Sequence, residues 1–258
     1  MNTIERGAIY CVTDCETYLQ AALISALTLR GLEPDLPVTI ISNLNLINRL
    51  DLEAHNISLR FLTAQELPES SAYISRYVKT RLFDWSPYRS TLFLDADILP
   101  CSSVSGLWNY LDRDPIAMVK DRLPTVEMCD HISAQEKSFT LDRIPPLSVQ
   151  FNSGVMLWQN NQTIQRLFTR WQYEWQIFQR QDQLALVRAL HQCRISVAEI
   201  PQTYNVSPID SIDLIKSGHK IHLLHCWGGM VASGEFRQIA RMRYPEVVEK
   251  VDLLFSSP

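Results

Sequence analysis

Three kinds of pattern are missing from this sequence of 258 residues, and each absence excludes a class of protein. The amino terminus, MNTIERGAIYCVTD, has no long hydrophobic segment and carries Glu5 and Arg6 before its first apolar run, so we predict neither a signal peptide nor a membrane span and expect a cytoplasmic protein. No run of basic residues occurs and the net charge is -4, which gives no reason to expect nucleic acid as a partner. The six cysteines contain no C-x-x-C pair, which favours reduced structural thiols over a disulfide framework or a zinc ribbon.

The composition is typical of a globular α/β protein. A chain with 46% hydrophobic and 20% charged residues can bury a full core. Apolar segments typical of strands alternate with segments that carry apolar residues at helical spacing, which predicts a mainly parallel, doubly wound sheet. We expect one domain over residues 1–258, in which residues 231–258 form a C-terminal helical tail.

The pattern predicts individual elements. Thr13 and Glu16 match a capping box at the start of the first helix, and Gly31 is expected to end that helix. Strands are predicted at 8–13, 37–43, 58–63, 91–94, 116–121, 149–158, 194–200 and 220–225. Further helices are predicted at 72–85, 104–113, 162–178 and 182–192.

The segment STLFLDADILP is an apolar run that ends in Asp95 and Asp97. On a strand, residues two apart point to the same side, so both carboxylates are expected to converge while Ala96 faces away. In open α/β sheets, ligands bind beyond the carboxyl ends of the strands. Two carboxylates there are costly without a cation, and Mg²⁺ or Mn²⁺ with a diphosphate suits such oxygen ligands. The alternative is that Asp-x-Asp only caps a turn.

Three further segments place polar residues where apolar strands or helices begin or end. FNSGVMLWQ interrupts an apolar strand at Asn152, which predicts either a bulge near a ligand or a simple β-turn. Asp182 and Gln183 open a helix, where Asp182 either contacts a ligand or caps the helix. His225 ends a strand shortly before Gly228, and it is either a structural histidine or a third metal ligand that favours Mn²⁺.

In this order, the segments resemble the family 8 glycosyltransferases, and most closely the glycogenin-like branch. TRLFDWSPYRSTLFLDADILP is similar to that branch's helix, strand and Asp-x-Asp, while FNSGVMLWQ, DQLAL and HLLHCWGG resemble its later motifs. YCVTDCETYLQAALISALTL resembles the first strand and helix, so the resemblance runs from about residue 8 to residue 230. It implies a GT-A fold, with a Rossmann-like, mostly parallel central sheet flanked by helices. It also implies retaining transfer of a hexose from a UDP-sugar to a sugar or other hydroxyl acceptor.

The resemblance implies which residues bind the metal and which residue lies near the reacting carbon of the sugar. Asp95, Asp97 and His225 would bind Mn²⁺ (or Mg²⁺), and the metal would hold the donor diphosphate. Arg81 would reach the donor phosphate or sugar. Gln183 would lie beneath the anomeric carbon.

The resemblance also implies the remaining contacts to the nucleotide sugar. Asn152 and Asp182 would hold sugar hydroxyls. The other contacts are expected from Thr13, Asp14 and Tyr18 near the base, and from Ala96, Ser153, Gly154 and Gly228.

The sequence departs from the family after His225. The family commonly continues into Lys-Pro-Trp, whose lysine contacts the diphosphate, whereas this chain reads HCWGGMVASGEFRQ. Arg237 either substitutes for that lysine or is a solvated helix residue. The tail of residues 231–258 either closes the site or packs as a helix, and the poorly patterned segment 122–148 is either a lid or an acceptor-binding insertion.

Three functions other than glycosyl transfer are also compatible with parts of the sequence or fold. A catalytically inactive nucleotide-sugar-binding protein fits the missing lysine, since a fold does not guarantee an activity. An Asp-x-Asp phosphohydrolase usually carries its aspartates after the first strand, whereas here several strand and helix units precede them. A nucleotide-sugar pyrophosphorylase needs a glycine-rich, basic phosphate loop, which YCVTDCETY lacks.

Small transferases of this class often dimerise, so a homodimer is a further expectation.

Overall fold

Strands and helices alternate along the computed structural model, which describes residues 4–45, 47, 50–68 and 73–256. Its strands are β1 (Ile4–Val12), β2 (Val38–Ser42), β3 (Ile57–Phe61), β4 (Tyr88–Leu94), β5 (Ile98–Pro100), β6 (Ile116–Thr125), β7 (Val149–Gln159), β8 (Ala198–Ile200) and β9 (Leu223–His225). Its α-helices are α1 (Glu16–Leu32), α2 (Ile74–Lys79), α3 (Leu82–Trp85), α4 (Ala134–Leu141), α5 (Gln162–Gln176), α6 (Gln183–Cys193), α7 (Pro208–Lys216), α8 (Glu235–Arg243) and α9 (Pro245–Ser256).

The predicted sheet is confirmed as mostly parallel. Seven strands follow the order β3-β2-β1-β4-β7-β6-β8, and β5 forms a separate two-stranded sheet with β9. Pairing is parallel between β1 and β2, between β2 and β3, and between β6 and β8. It is antiparallel between β6 and β7 and between β5 and β9. Because parallel strands point their carboxyl ends to the same edge, the loops after β1 and β2 emerge side by side.

Several predicted elements are shorter or different in the structure. The helix expected at 72–85 is two helices, α2 and α3, and its first residue, Ala72, lies outside the described residues. The helix expected at 104–113 is a 3-10 helix, Ser105–Asp112. The strands expected at 194–200 and 220–225 shrink to the three residues of β8 and of β9. Among the described residues, no helix is both long and apolar enough to cross a membrane.

Contacts within the chain divide it into two compact units. The first unit comprises Arg6–Thr63, Leu92–Gly106 and Gln202–Pro258, and the second comprises Met1–Glu5, Ala64–Thr91 and Leu107–Pro201. The single domain expected over residues 1–258 stays a prediction.

The core of the first unit is built around α1. This helix buries residues on most of its circumference, among them Leu19, Leu23 and Leu29, and it packs against β5 and α9. Cys15 occupies the N-cap position of α1 without a side-chain capping bond, so the expected capping box of Thr13 and Glu16 is wrong. Packing rather than a cap therefore stabilises this helix.

The C-terminal tail packs as helices within the first unit. Phe236 and Val248 are buried on α8 and α9, which contact each other and α1. Arg237 forms an ion pair with Asp252 and donates a hydrogen bond to Gln20 at 3.2 Å. These contacts favour the packing alternative for the tail and for Arg237.

The core of the second unit lies between β7 and two helices. Val155, Met156, Leu157 and Trp158 are consecutive residues of β7 and all are fully buried, so both faces of this strand are covered. Helix α6 packs on β7, and α5 packs on α6.

The segment 122–148 is anchored to α6 by apolar packing. It continues β6, forms the 3-10 helix Val126–Met128 and then forms α4. Its buried residues pack against two residues of α6 in one apolar cluster: Val126, Cys129, Ile144, Leu184 and Val187. Burial raises the pKa of the Cys129 thiol to about 11, so this cysteine stays a neutral core residue.

A buried ion-pair network adds a second anchor for the same segment. The side chain of Arg188 on α6 is fully buried and donates hydrogen bonds to Glu174 at 2.8 Å, to Glu136 at 3.2 Å and to Thr140 at 2.8 Å. Burial raises the pKa of Glu136, and the charge of Arg188 offsets part of that rise. Opening this segment would expose apolar surface and separate buried charges, which argues against a lid.

We predict that Arg188→Met lowers the free energy of unfolding by about 3–5 kcal/mol, because it removes the cation paired with the buried Glu136 and one of the two cations paired with the buried Glu174. Urea titration would measure the loss. The matched control is Arg89→Met, since Arg89 pairs with Glu5 at 3.3 Å while both side chains are about 70% exposed. That variant should change stability by about 1 kcal/mol or less. Equal losses in the two variants would contradict an anchoring role for Arg188.

Candidate active site

Asp95 and Asp97 lie in a turn between β4 and β5. The amide of Ile98 donates to the carbonyl of Asp95 at 3.1 Å, which closes the turn around Ala96. The expectation that both aspartates extend a strand is therefore wrong, because β4 ends at Leu94 and β5 begins at Ile98. The turn nevertheless brings both carboxylates to one side, where they meet a histidine.

The pairing of β5 with β9 places His225 beside these carboxylates. His225 lies opposite Ile98, and the amide of the following residue, Cys226, donates to the carbonyl of Asp97 at 2.9 Å. The Nε2 atom of His225 is 3.2 Å from Oδ1 of Asp97 and 4.0 Å from Oδ2 of Asp95. Ligand atoms of the three side chains lie within 4.8 Å of one another, and they form a cluster that can hold a metal ion.

Asn205 orients the ring of His225. The two side chains are buried, and Nδ1 of His225 lies 2.7 Å from Oδ1 of Asn205. An amide oxygen only accepts hydrogen bonds, so Nδ1 carries the proton and Nε2 keeps its lone pair for a metal. Trp227 packs edge-on against the same ring, with centroids 4.9 Å apart. Two carboxylates and one oriented imidazole nitrogen fit a divalent cation such as Mn²⁺ or Mg²⁺.

The residues expected near the nucleotide base lie after β1. They belong to the same unit as the candidate metal-binding cluster of Asp95, Asp97 and His225. Asp14 has a positive φ of 57° and exchanges two hydrogen bonds with Asn43, which follows the neighbouring parallel strand β2. The Asn43 side chain donates to Oδ1 of Asp14 at 2.6 Å, and the amide of Asp14 donates to Oδ1 of Asn43 at 3.0 Å. Thr13 and Tyr18 lie on either side of Asp14 in the sequence and are half-buried.

Gly228 follows β9 in the first unit with a φ of 74°. A side chain is rarely compatible with this left-handed conformation, and an added Cβ would meet no atom within 4 Å. The backbone, and not a shortage of space, therefore requires glycine in this turn.

In the second unit, a buried group of polar residues surrounds Asp182. Asp182 occupies the N-cap position of α6, but its side chain makes no capping hydrogen bond. Its carboxylate instead accepts a hydrogen bond from Ser153 at 2.7 Å, and it lies 3.8 Å from Lys79 and 3.8 Å from Arg76. Burial alone would raise the pKa of Asp182, yet Lys79, Arg76 and the Ser153 hydroxyl together hold this pKa below its usual value. The carboxylate is therefore charged at neutral pH.

A bulge in β7 positions Ser153 and its neighbours. Met118 of β6 pairs with Met156, whereas the next residue of β6, Val119, pairs with Asn152. This register shift confirms the predicted bulge and excludes the β-turn. The Asn152 side chain donates to Asp121 at 3.2 Å and accepts from the amide of Gly154 at 2.9 Å, which fixes the bulged backbone.

Gln183, the first residue of α6, is held by a second glutamine. Its side-chain nitrogen donates to Oε1 of Gln150 at 3.0 Å, and both side chains are buried. Gln150 precedes the bulge on β7 by two residues, so the same strand supports both Asp182 and Gln183.

Arg81 is directed away from this group. Its guanidinium donates to Asp84 at 3.0 Å and to the Tyr77 hydroxyl at 3.2 Å, and it lies over the ring of Trp85. The structure therefore does not bring Arg81 to Asp182.

The sequence pattern did not single out six residues that contact the expected site residues: Asn43, Arg76, Lys79, Asp121, Gln150 and Asn205. Arg76 and Lys79 carried a signal, because residues three apart lie on one face of a helix. Asn43 also carried one, since it follows a strand parallel to the strand before Asp14. No local pattern identifies Gln150 or Asn205.

The family model described as Glycosyl transferase family 8 matches residues 22–230. This match covers most of the sequence, and the chain therefore belongs to glycosyl transferase family 8. Comparison with curated protein sequences finds no match.

Solved structures show the same fold at low sequence identity. The galactosyltransferase LgtC, in complex with donor and acceptor sugar analogs, is 16% identical over 92% of this chain and 96% of its own, with a TM-score of 0.63. Mouse xyloside xylosyltransferase 1 is 13% identical over 86% of this chain and 97% of its own, with a TM-score of 0.56. The glycosyltransferase GlyE of Streptococcus pneumoniae is 11% identical over 96% of this chain and 63% of its own, with a TM-score of 0.59. The GT-A fold is thereby confirmed.

We predict that Lys79→Met lowers the free energy of unfolding by about 3 kcal/mol at pH 7, because it removes the more buried of the two cations beside the Asp182 carboxylate. Since the folded-state pKa of Asp182 lies below its usual value, its stabilising contribution is present at neutral pH and is lost as the pH falls through that pKa. The difference between variant and wild type should therefore shrink as the pH is lowered below about 4. Chemical denaturation at several pH values would measure it.

The control for this prediction is Lys120→Met. Lys120 pairs with Glu199 at 2.7 Å, but both side chains are substantially exposed, so its loss should cost about 1 kcal/mol or less. A Lys79→Met penalty that stays the same from pH 7 to pH 2 would show that the variant acts through packing and not through the charge of Asp182.

Proposed function

We propose that this chain is a metal-dependent, retaining glycosyltransferase that moves a hexose from a UDP-sugar to a sugar or other hydroxyl acceptor. The observation that carries the proposal is the cluster of Asp95, Asp97 and His225, together with membership of glycosyl transferase family 8. The hexose is supported by the likeness to LgtC, which is a galactosyltransferase. The identity of the transferred sugar and the class of the acceptor are both part of this proposal.

The metal cluster would serve the leaving group. A bound Mn²⁺ or Mg²⁺ would supply positive charge to a diphosphate that becomes more negative as the glycosidic bond breaks. Asp95, Asp97 and His225 hold the ion in this proposal, and Asn205 keeps the imidazole in the tautomer that can bind it. Mn²⁺ is favoured over Mg²⁺ because one of the three ligands is a nitrogen.

The nucleotide would be held by the remaining polar groups of the first unit. Thr13, Asp14 and Tyr18 are proposed to contact the base, with Asn43 fixing the side chain of Asp14. The backbone turns at Ala96 and Gly228 are proposed to contact the ribose or the diphosphate.

The sugar would be held by the buried group of the second unit. The charged carboxylate of Asp182 is a strong acceptor for a sugar hydroxyl, and Asn152, Ser153 and Gly154 supply further polar contacts from the bulge. We assign the donor contact expected of Arg81 to Lys79 and Arg76, because these cations lie beside Asp182.

Gln183 is proposed to lie beside the anomeric carbon. Its amide is too weak a nucleophile to form a ready covalent intermediate. Asp182 is also a poor nucleophile, because two cations and a hydroxyl stabilise its charged form. We therefore favour front-face attack by the acceptor over a covalent intermediate as the route to retention.

Thermal unfolding with UDP, GDP, CDP and ADP, each with Mn²⁺ or with a chelator, tests the proposed donor. UDP with Mn²⁺ should stabilise the native protein by about 2.7 kcal/mol at a hundredfold excess over Kd, because it binds only the folded chain. The other nucleotides, and UDP with chelator, should shift the midpoint much less. Absence of any shift with UDP and Mn²⁺ would contradict a UDP-sugar donor.

Asp97→Asn tests the metal cluster in the same assay. This variant should lose the shift with UDP and Mn²⁺ and lose UDP release from the donor, while its own folding stays intact. Asp35→Asn is the control, because Asp35 is an exposed aspartate of the same unit outside the cluster. Wild-type behaviour of Asp97→Asn would eliminate the metal assignment.

The second candidate, a nucleotide-sugar-binding protein without activity, is favoured by one observation. The family's Lys-Pro-Trp lysine is missing, and Arg237 is engaged with Asp252 and Gln20. Assays of UDP release from UDP-glucose and UDP-galactose separate the two functions. Binding of UDP without release of UDP from either donor would favour the inactive protein.

We predict that Asn205→Leu weakens Mn²⁺ binding by about 10- to 100-fold, because the ring of His225 loses the partner that sets its tautomer. Electron paramagnetic resonance of free Mn²⁺ during a titration would measure the affinity directly, without any turnover. Asn161→Leu is a control on helix capping away from the metal cluster, since Asn161 caps α5 and belongs to the second unit. Unchanged Mn²⁺ affinity in Asn205→Leu would remove Asn205 from the site.

A further inference from the structure

Gln150 is a fully buried polar residue that the proposed function does not use. Its side-chain nitrogen donates a hydrogen bond to the backbone carbonyl of Leu123, and its side-chain oxygen accepts one from Gln183. The three groups form a chain that runs from the backbone of β6 through β7 to the first residue of α6.

The carbonyl of Leu123 sets the direction of every hydrogen bond in this chain. A carbonyl oxygen only accepts, so Gln150 must turn its NH₂ group toward Leu123 and its oxygen toward Gln183. The oxygen of Gln150 also only accepts, so Gln183 must turn its own NH₂ group toward Gln150. Rotating either amide by 180° would bring two acceptors or two donors face to face in a buried place, which costs the full desolvation penalty of the groups left unpaired.

The hydrogen bond to Gln150 leaves the side-chain oxygen of Gln183 for a contact with another group. With its nitrogen committed to Gln150, the oxygen Oε1 is the remaining polar atom of this side chain. An amide oxygen carries partial negative charge, whereas the NH₂ group carries partial positive charge. The two orientations of the same amide therefore have opposite effects on a nearby carbon that becomes positive.

We propose that Gln150 is a positioning residue that fixes the side-chain amide of Gln183, so that its oxygen and not its nitrogen faces the reacting sugar. This inference rests on the proposed function, in which Gln183 lies beside the anomeric carbon. The oxygen then stabilises the positive charge that develops at this carbon as the diphosphate departs. No bond forms between Gln183 and the sugar in this role.

Two substitutions at Gln150 separate orientation from packing. Gln150→Leu keeps the approximate volume but removes the acceptor that holds Gln183. Gln150→Glu keeps that acceptor, but it buries a carboxylate next to the Leu123 carbonyl, which raises its pKa and lowers stability. Both variants should be less stable than the wild type, and the glutamate variant should be the more active of the two. A purely structural role predicts instead that both variants lose activity.

The experiment measures UDP release from UDP-glucose and UDP-galactose with Mn²⁺, in which water takes the hexose as the hydroxyl acceptor, together with the melting temperature of each variant. For Gln150→Leu we expect kcat to fall by about 10- to 100-fold with KM nearly unchanged, because ground-state binding is retained and only transition-state stabilisation is lost. For Gln150→Glu we expect kcat close to the wild-type value despite the lower melting temperature. The shift in melting temperature on adding UDP with Mn²⁺ should be the same in both variants.

Gln159→Leu is the matched control. Gln159 lies on the same strand, and its side-chain nitrogen also donates to a backbone carbonyl, that of Leu111 at 3.0 Å, but it is not a partner of Gln183. Its kcat should equal that of the wild type. If Gln150→Leu keeps the wild-type kcat, or if Gln150→Glu loses as much kcat as Gln150→Leu does, the positioning role is overturned. If the wild type itself releases no UDP from either donor, the proposed function fails first, and the positioning role fails with it.

Discussion

The short antiparallel pairing of β5 with β9 is the interaction on which the position of the candidate metal-binding residues depends. It pairs only three residues of each strand, yet it places His225 opposite Ile98 and binds the backbone of Asp97 to the residue after the histidine. Closing so long a stretch of chain costs conformational entropy. Burial of the apolar side chains of both strands offsets this cost, and Leu99 and Leu223 are fully buried. The three side chains of the candidate metal site are therefore positioned by strand pairing and apolar burial, which involve no metal.

In the second unit, the buried charges of Arg188 and Asp182 are each stabilised by side chains of opposite charge. Arg188 is surrounded by protein acceptors on α4 and α5, and this network fastens the segment 122–148. Asp182 is held by Lys79, Arg76 and a hydroxyl on the bulge of β7. The two arrangements use the same electrostatics, since a buried charge without a partner would destabilise the fold by several kcal/mol. They differ in their surroundings, because Asp182 lies beside a bulge and the first residue of a helix, where backbone irregularity is typical of ligand sites.

Local patterns predicted the type of most elements and the residue types of the site, but several local details were wrong. The alternation of strands and helices, the bulge at Asn152 and the helix that starts at Gln183 follow from short-range spacing. The capping box before α1 did not form, because α1 begins at Glu16 and Cys15, not Thr13, occupies the N-cap position. The predicted helix at 72–85 breaks between α2 and α3, and this break leaves Lys79 beside Asp182 while Arg81 contacts Asp84. A pattern in sequence cannot show where such a break falls, since both halves have good helical spacing.

The sequence by itself determined the fold class, because hydrophobic periodicity is a local property that the whole chain carries. It also determined that two carboxylates lie one residue apart after a buried strand, which predicts either a cation site or a turn cap. Only the tertiary structure decided which distant side chains complete the two polar groups. Asn205 meets His225, and Gln150 meets Gln183, because strand register and helix packing bring them together. These contacts depend on the sum of many weak interactions across the chain, so no short segment encodes them.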